Sequence, residues 1–395
     1  MSETLLEKIS NAAKERFQNI AFPTRKDEYW RFADLDTWSV DTLFPYFTGR
    51  PPEEGCNSEF EDLEHEDSQG GCVLLFDGQL LDGEAPKGVE IYSSGAAADE
   101  FPDIVEKFHS KASGKFDTLV STRPDFGILI RVLDGESATL DLKIISKLTV
   151  SAANVIVWLG KGSSLRLRKT NLAFGGSFAA LKCGYVLEGN SSLELASLKY
   201  SSKYSIAYER EDFSLAEGAS VVDAVALSAK GPSRQERNFE ISSSGCNADS
   251  RIFVSADSDA TQDIRTSQMH SKPMSDSNME IRAALGGLAK LAFTGLISVD
   301  KNAVKTRSYQ SCRSLMLSDT AKSQASPVLE ISCSDVECSH GCAVSKPSDE
   351  QMFYMMQRGI GEDAAKGLIV RSFAETSFEK ISDRDLVDKW LGRLF

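Results

Sequence analysis

DGESATLDL (residues 134–142), GKGSSLRLR (160–168), EGNSSLELA (188–196) and AEGASVVDA (216–224) are variants of one pattern, a small-residue turn followed by a strand-like stretch. Their glycines, Gly135, Gly162, Gly189 and Gly218, are spaced by 27, 27 and 29 residues, and Gly245 in SGCNADSRIF follows 27 further on. A period in the twenties built from strands and turns marks a β-solenoid, in which each coil buries its apolar face on the next. Glycine suits the corners because it takes positive φ at little steric cost. An antiparallel sandwich with regularly spaced turns is the competing reading. The same strand pattern after each glycine favours the solenoid.

The texture extends in both directions. GILIRVL, ATLDLKII, NVIVWL, RIFVSA, MEIRAAL and LAFTGLISV are further short strand-like runs, which places the β-helix core over residues 116–345. Residues 1–115 read as a mixed helical segment: Leu5, Leu6, Ile9, Ala13, Phe17 and Ile20 recur at helical spacing and predict a helix over 2–20. Short apolar runs at 73–76 and 90–92 predict strands, and the acidic stretch 51–71 predicts an exposed loop. Residues 346–395 read as a helical domain. Ser348 and Gln351 have capping-box spacing, Met352, Phe353, Met355 and Met356 supply an apolar face, and Gly359 closes the helix. Ala364, Leu368, Ile369 and Phe373 suggest a second helix; a third starts at Ser382 and Asp385 and carries Leu386, Trp390, Leu391 and Leu394. Such helices either cap the open end of the coils or dock a partner. The expected class is mainly β: a parallel β-helix with an N-terminal α/β segment and a C-terminal helical domain.

Composition narrows the function. Lys+Arg number 44 against 58 Asp+Glu, for a net charge of −14, so phosphate backbones and anionic lipid would repel the chain; no nucleic acid and no membrane are expected as partners. With 41% hydrophobic residues there is ample core, which excludes wholesale disorder. No apolar run approaches about 18 residues, and MSETLLEKISNAAKERF is amphipathic and acid-bearing rather than a signal peptide. The expectation is a cytoplasmic protein whose eight cysteines are ligands, nucleophiles or core residues, not disulfide partners.

The chemistry concentrates late. Cys312 is followed by Cys333-Ser-Asp-Val-Glu-Cys338-Ser-His340-Gly-Cys342. Thiolate and imidazole select zinc, copper or iron–sulfur species over hard cations. On a strand, Cys338, His340 and Cys342 share one face, yet neighbours on that face are about 6.6 Å apart and the outer pair about 13 Å. One ion with bonds of about 2.0–2.3 Å cannot span that unless the strand turns at Gly341. Inert core thiols, a strained zinc site and an open multi-centre surface shared with another chain all stay in play. There is no GxxxxGK(S/T) loop, so any ATP chemistry would belong to a partner.

DVECSHGCAV (335–344) followed by DEQMFYMMQRGI (349–360), with TRSYQSCRSLMLSD (306–319) and SPVLEI (326–331) upstream, resembles the SufB/SufD family of iron–sulfur cluster assembly scaffolds. FPTRKDEYWRFADLDTW (22–38) is similar to the N-terminal segment of SufD, as is the overall length. The resemblance implies a right-handed parallel β-helix, pairing with a SufB-like paralogue or a second copy, and a SufC ATPase held by the C-terminal helices. It implies a non-catalytic scaffold for a transient iron–sulfur cluster, with reduced flavin as a further component. By the same resemblance His340 and Cys338 match the ligand region. Cys312 stands where SufB carries its essential cysteine and SufD commonly has a polar residue, at an offset of 28 from His340 that also fits SufB. Met352, Phe353, Tyr354, Met355, Arg358 and Gly359 would meet the ATPase. Cys342 is an extra thiol where the motif has a small residue, and a buried small side chain is its favoured reading; Cys333 receives no role, and a hydrogen-bonding structural role is the favoured reading of His270.

Two rivals come from other classes. A polysaccharide-acting β-helix enzyme would use nearby carboxylates such as Asp257, Asp259 and Asp263. A zinc-stabilised structural β-protein would close the thiols on a metal.

Overall fold

The computed structural model describes residues 3–27, 30–47, 71–147 and 149–394. The acidic stretch at 51–71, with Cys56 and His65, falls outside them except for Gly71, as do Glu28 and Tyr29 of the N-terminal motif.

A short entry region comprises β1 (Gly71–Phe76), β2 (Gln79–Glu84) and β3 (Val89–Ser93). The chain then winds into a parallel β-solenoid of about eight turns. One sheet of the solenoid holds β5 (Ser137–Ser146), β7 (Ser164–Ala173), β9 (Ser192–Ser201), β11 (Ser220–Ala229), β13 (Asn247–Ala256), β15 (Asp276–Leu285), β17 (Thr306–Met316) and β19 (Val336–Ser345). The facing sheet holds β4 (Gly127–Val132), β6 (Val150–Leu159), β8 (Phe178–Leu187), β10 (Ile206–Leu215), β12 (Ser233–Ile241), β14 (Thr261–His270), β16 (Lys290–Val299) and β18 (Lys322–Ile331). Consecutive strands alternate between sheets, and each pairs in parallel with the strand one coil away. Among the described residues only the entry is antiparallel, β2 against β1 and β3 against β4.

The corners explain the spaced glycines. Gly135, Gly162, Gly218 and Gly245 have φ of 71°, 65°, 69° and 71°; at the remaining corner the left-handed residue is Asn190 (φ 59°), not Gly189. Asparagine tolerates this conformation because its short polar side chain bonds locally.

Alternation decides what fills the interior. Leu140, Leu142, Leu165, Leu167, Leu193 and Leu195 point between the sheets from one side and meet Leu181, Tyr185, Phe213 and Phe239 from the other. In-register stacking makes side chains repeat up the coils. Tyr185, Phe213 and Phe239 stack nearly flat with centroids 4.5 and 4.4 Å apart.

Helices dress the flanks. The helix expected over 2–20 is α1 (Leu5–Asn19), opened by a Thr4–Glu7 capping box. It is followed by α2 (Val40–Phe47), and then by α3 (Ser94–Glu100), α4 (Pro102–Ser110) and α5 (Lys115–Ser121), whose apolar faces cover the outer side of β4, β6 and β8. At the C-terminus are α6 (Asp349–Gln357), α7 (Glu362–Glu375) and α8 (Arg384–Leu394). Ser348 caps α6 as expected, whereas the Asp383 carboxylate, not Ser382, accepts from the Leu386 backbone at the start of α8.

The terminal helices do not close the end of the solenoid. Val370, Ala374, Val387, Trp390 and Leu391 pack sideways on Leu172, Leu198, Tyr200, Ala226 and Phe253, the outward residues of the β5–β17 sheet. Each fully buried leucine or phenylalanine there contributes roughly 1.5–3 kcal/mol. With the flank as their seat, the last coil stays uncovered. No helix among the described residues is long and apolar enough to cross a membrane.

Candidate functional site

Among the described residues there is no further strand beyond β18 and β19 in either sheet. On β17, Thr306, Ser308, Gln310, Cys312 and Ser314 are buried while Arg307, Tyr309 and Arg313 are exposed, so the even-numbered residues face inward. Parallel pairing is in register: Ser308 lies beside Cys338, Gln310 beside His340 and Cys312 beside Cys342. Cys338, His340 and Cys342 therefore continue the interior rows one rung further, where no coil of the described residues covers them. His340 and Cys342 are exposed as a result, and Val344 in the same row is 61% exposed. The site is the cut end of the core.

The structure brings the sequence-derived ligands Cys312, Cys338 and His340 to one inward face, and places Cys342 there as well, exposed rather than the buried small side chain expected of it. They are not converged on a point. β19 runs unbroken through Gly341, so the turn that a zinc site would need is not there. Rung to rung the spacing is about 4.8 Å, which makes Cys312 and Cys342 near neighbours. His340 lies diagonally from Cys312 at about 8 Å between Cα atoms, as the same spacings require. Cys333 and Cys338 flank a small apolar cluster of Ile297, Val299 and Ala303.

Burial sets the thiol chemistry. The Cys312 thiol is pushed up to about 12, first by burial and then by the neighbouring Cys342, against a Ser314 hydrogen bond. Burial also raises Cys338 and Cys342. All three are thiols at neutral pH, and binding a soft ion there must release protons, which weakens it.

His270 is buried with Nε2 2.8 Å from Ser277 Oγ, and Ser277 meets Ser308 at 2.7 Å. Burial lowers it to about 4, so it is a neutral, hydrogen-bonded ring. His109 is likewise buried against Ser121. Asp257 and Asp259 are exposed in the turn after β13, while Asp263 is buried and paired with Arg234; the three carboxylates do not assemble a groove site.

On α6, Phe353 is 62% and Tyr354 55% exposed; Met356 is also exposed, and no residue of the helix is buried. The Arg358 guanidinium covers the Tyr354 ring at 4.5 Å, and Gly359 ends the helix with φ 85°. Met352 and Met355 are half-buried. Contiguous exposed apolar side chains of this kind mark interaction surfaces.

One feature had no counterpart in the sequence reading. Mid-solenoid, the interior holds Lys169, Lys199 and Arg237 against Glu209, Glu211 and Asp223, all buried. Lys169 meets Glu209 at 2.7 Å and also Glu211; Lys199 meets them at 2.9 and 3.0 Å; Arg237 joins Glu211 and meets Asp223 at 2.6 Å. Among the described residues Cys183, Glu209 and Glu211 have ligand atoms within 4.8 Å of one another. The two ammonium groups already occupy those carboxylates, and burial keeps the Cys183 thiol protonated, so the set is an ion-pair network. The signal was present in the inward parity of Lys169 after Leu165 and Leu167.

Comparison with known proteins gives a match to the family model described as "SUF system FeS cluster assembly, SufBD core domain" over residues 143–373. The iron-sulfur cluster assembly protein SufD of Escherichia coli (strain K12) is 33% identical over 132 residues, 33% of this chain and 31% of that protein. Protein ABCI7, chloroplastic, of Arabidopsis thaliana is 24% identical over 412 residues, 97% of this chain and 84% of that one. SufD of Bacillus subtilis (strain 168) is 27% identical over 150 residues, 38% of this chain and 34% of the relative. The matched stretch thus spans about a third of the two bacterial relatives.

Proposed function

Because the chain belongs to the SufB/SufD family of SUF iron–sulfur cluster assembly proteins and is most like SufD, we propose that it is a non-catalytic scaffold subunit whose cut solenoid end receives a nascent cluster together with a partner. The observation that carries this reading is the coincidence of soft ligands with the uncovered end. Cys312, Cys338 and His340 lie in the last inward rows, where a second solenoid can stack on β18 and β19 and complete the pocket. Unpaired strand edges and half-exposed core residues favour such stacking.

A multi-atom cluster can bridge Cys312 and His340 across that diagonal. Thiols held protonated by burial bind it weakly, which suits cargo that must be handed on. The partner is a SufB-like paralogue or a second copy. The exposed face of α6, with Met352, Phe353, Tyr354, Met355, Arg358 and Gly359, docks a SufC-type ATPase, whose motion separates or rotates the paired ends. A reducing, cytoplasmic setting follows from the need for free thiols. The proposal includes no flavin.

The test is anaerobic reconstitution of the partnered complex with iron and sulfide. Cys312→Ser and His340→Ala are expected to abolish cluster absorbance while leaving the complex assembled; wild-type yields in both would refute the site. For docking, Phe353→Ala with Tyr354→Ala should release the ATPase. Those residues are exposed, so the variant keeps its fold, and retained co-purification would end that part of the reading. Removing residues 348–395 is a poorer test, because it strips the flank that α7 and α8 cover.

A further inference from the structure

Two of the open-end thiols have a relationship that the cluster reading leaves unused. Cys312 on β17 and Cys342 on β19 are in-register partners with inward side chains in the same row. Rungs of a sheet are about 4.8 Å apart, inside the roughly 4.4–6.8 Å Cα separation that a disulfide spans. Among the described residues β19 pairs with β17 alone and ends its sheet, and it can yield the fraction of an ångström that bond formation asks. Cys342 is exposed and open to a small oxidant; Cys312 is buried directly beneath it.

We propose that Cys312 and Cys342 are an oxidative modification site, a dithiol that a peroxide closes into a disulfide across the last two rungs. In the first step the Cys342 thiolate attacks the peroxide, forming an S–O bond and breaking the O–O bond; hydroxide leaves and is protonated to water. In the second, Cys312 gives up its proton and attacks the sulfenic sulfur, forming S–S and expelling hydroxide, which takes that proton to become a second water. Two thiols lose two electrons and hydrogen peroxide is reduced to two waters. Cys312 then has no free sulfur for iron, a consequence that rests on the scaffold reading above; the bond itself does not. Because the pair sits at the uncovered end, oxidation acts on the chain before a partner stacks on it. A dithiol reductant reverses it.

The experiment uses the full chain, reduced, desalted and treated with hydrogen peroxide, with peptide mass mapping under non-reducing conditions. A linkage between the Cys312 and Cys342 peptides is expected. It should vanish in Cys342→Ser, and in Cys312→Ser dimedone should trap a sulfenic acid at Cys342. The proposal is overturned if Cys342 advances to sulfinic acid while Cys312 remains a free thiol, or if Cys342 links to Cys333 or Cys338 instead. For the consequence, oxidised wild-type chain added to its partner should build no cluster until dithiothreitol is supplied, whereas Cys342→Ser builds it after the same peroxide. Equal yields from oxidised and reduced wild type would overturn the regulatory part. Failure of reduced wild type to build any cluster would strike the scaffold reading alone, since the mapping result stands without it.

Discussion

The middle of the solenoid and its cut end carry polar side chains in the same inward rows, and they treat them in opposite ways. At mid-solenoid, Lys169, Lys199, Arg237, Glu209, Glu211 and Asp223 are closed in by coils above and below, and each charge has an opposite charge in contact. At the end, Cys338, His340 and Cys342 continue rows of the same kind with none of the described strands beyond them. The difference is one missing coil. It teaches that inward parity by itself does not make a site. Sealed, a polar row becomes an ion-pair lattice whose members cannot exchange partners; unsealed, it can bind.

The largest expected effect comes from breaking the sealed region. Lys169→Met removes a cation from Glu209 and Glu211, which burial leaves no access to water. Removing one member of a buried pair costs about 3–5 kcal/mol. The denaturant midpoint should fall accordingly. Adding Glu209→Gln should return part of the loss, because one uncompensated charge then disappears. Additive losses in the double variant would show that the network is wetter than its burial implies.

Next in size is a pH dependence that belongs to the covered parts. His270 is held near 4 by burial, and His109 near 3 by burial and then by Lys182, against an ordinary 6.5. Above about pH 6.5 the rings are neutral folded and unfolded, and the contribution is complete. As pH drops below that, the unfolded chain takes up protons that the fold refuses. Stability then declines by about 1.4 kcal/mol per pH unit for each histidine, down to the folded value. Urea midpoints measured from pH 7.5 to 4.5 should show the slope, and His270→Asn should remove one histidine's share of it. An unchanged slope in that variant would mean that solvent reaches the ring.

How much of this contrast the sequence discloses depends on which side chains carry the period. Apolar strands such as ATLDLKII and SLELASL announce themselves, and five regularly spaced glycines set the coil length. IAYEREDFSL (206–215) and SRQERNFEI (233–241) are equally regular strands, β10 and β12, yet they lack that apolar alternation because their inward positions hold Glu209, Glu211, Gln235 and Arg237. Charge pairing across sheets, from β10 to β7 and β9, is long-range information that no local window contains. The ligand row was legible as residue types. That it lies at an uncovered end was not, because the terminal helices can cap or flank with the same amphipathic pattern, and only packing of Val370, Trp390 and Leu391 on the outer face decides between them.

The smallest effect is the sharpest probe of the cut end. Cys342→Ser should shift stability by less than about 0.5 kcal/mol, since an exposed side chain loses no packing. Cys312→Ser, one rung inward, should cost about 1–3 kcal/mol, because it sets a more polar group into the buried row of Ile281 and Ile252 with Ser314 as its hydrogen-bonding neighbour. The two substitutions differ by a single coil in depth and by nothing in chemistry, so their ratio measures how open the last rung is. Thermal melts over a range of chain concentrations complete the test. A Cys342→Ser shift that grows with concentration to match Cys312→Ser would mean that a second copy already seals the end, turning the exposed row into a buried one. A small, concentration-independent shift would leave the end free for a different partner, as a scaffold that pairs with a paralogue requires.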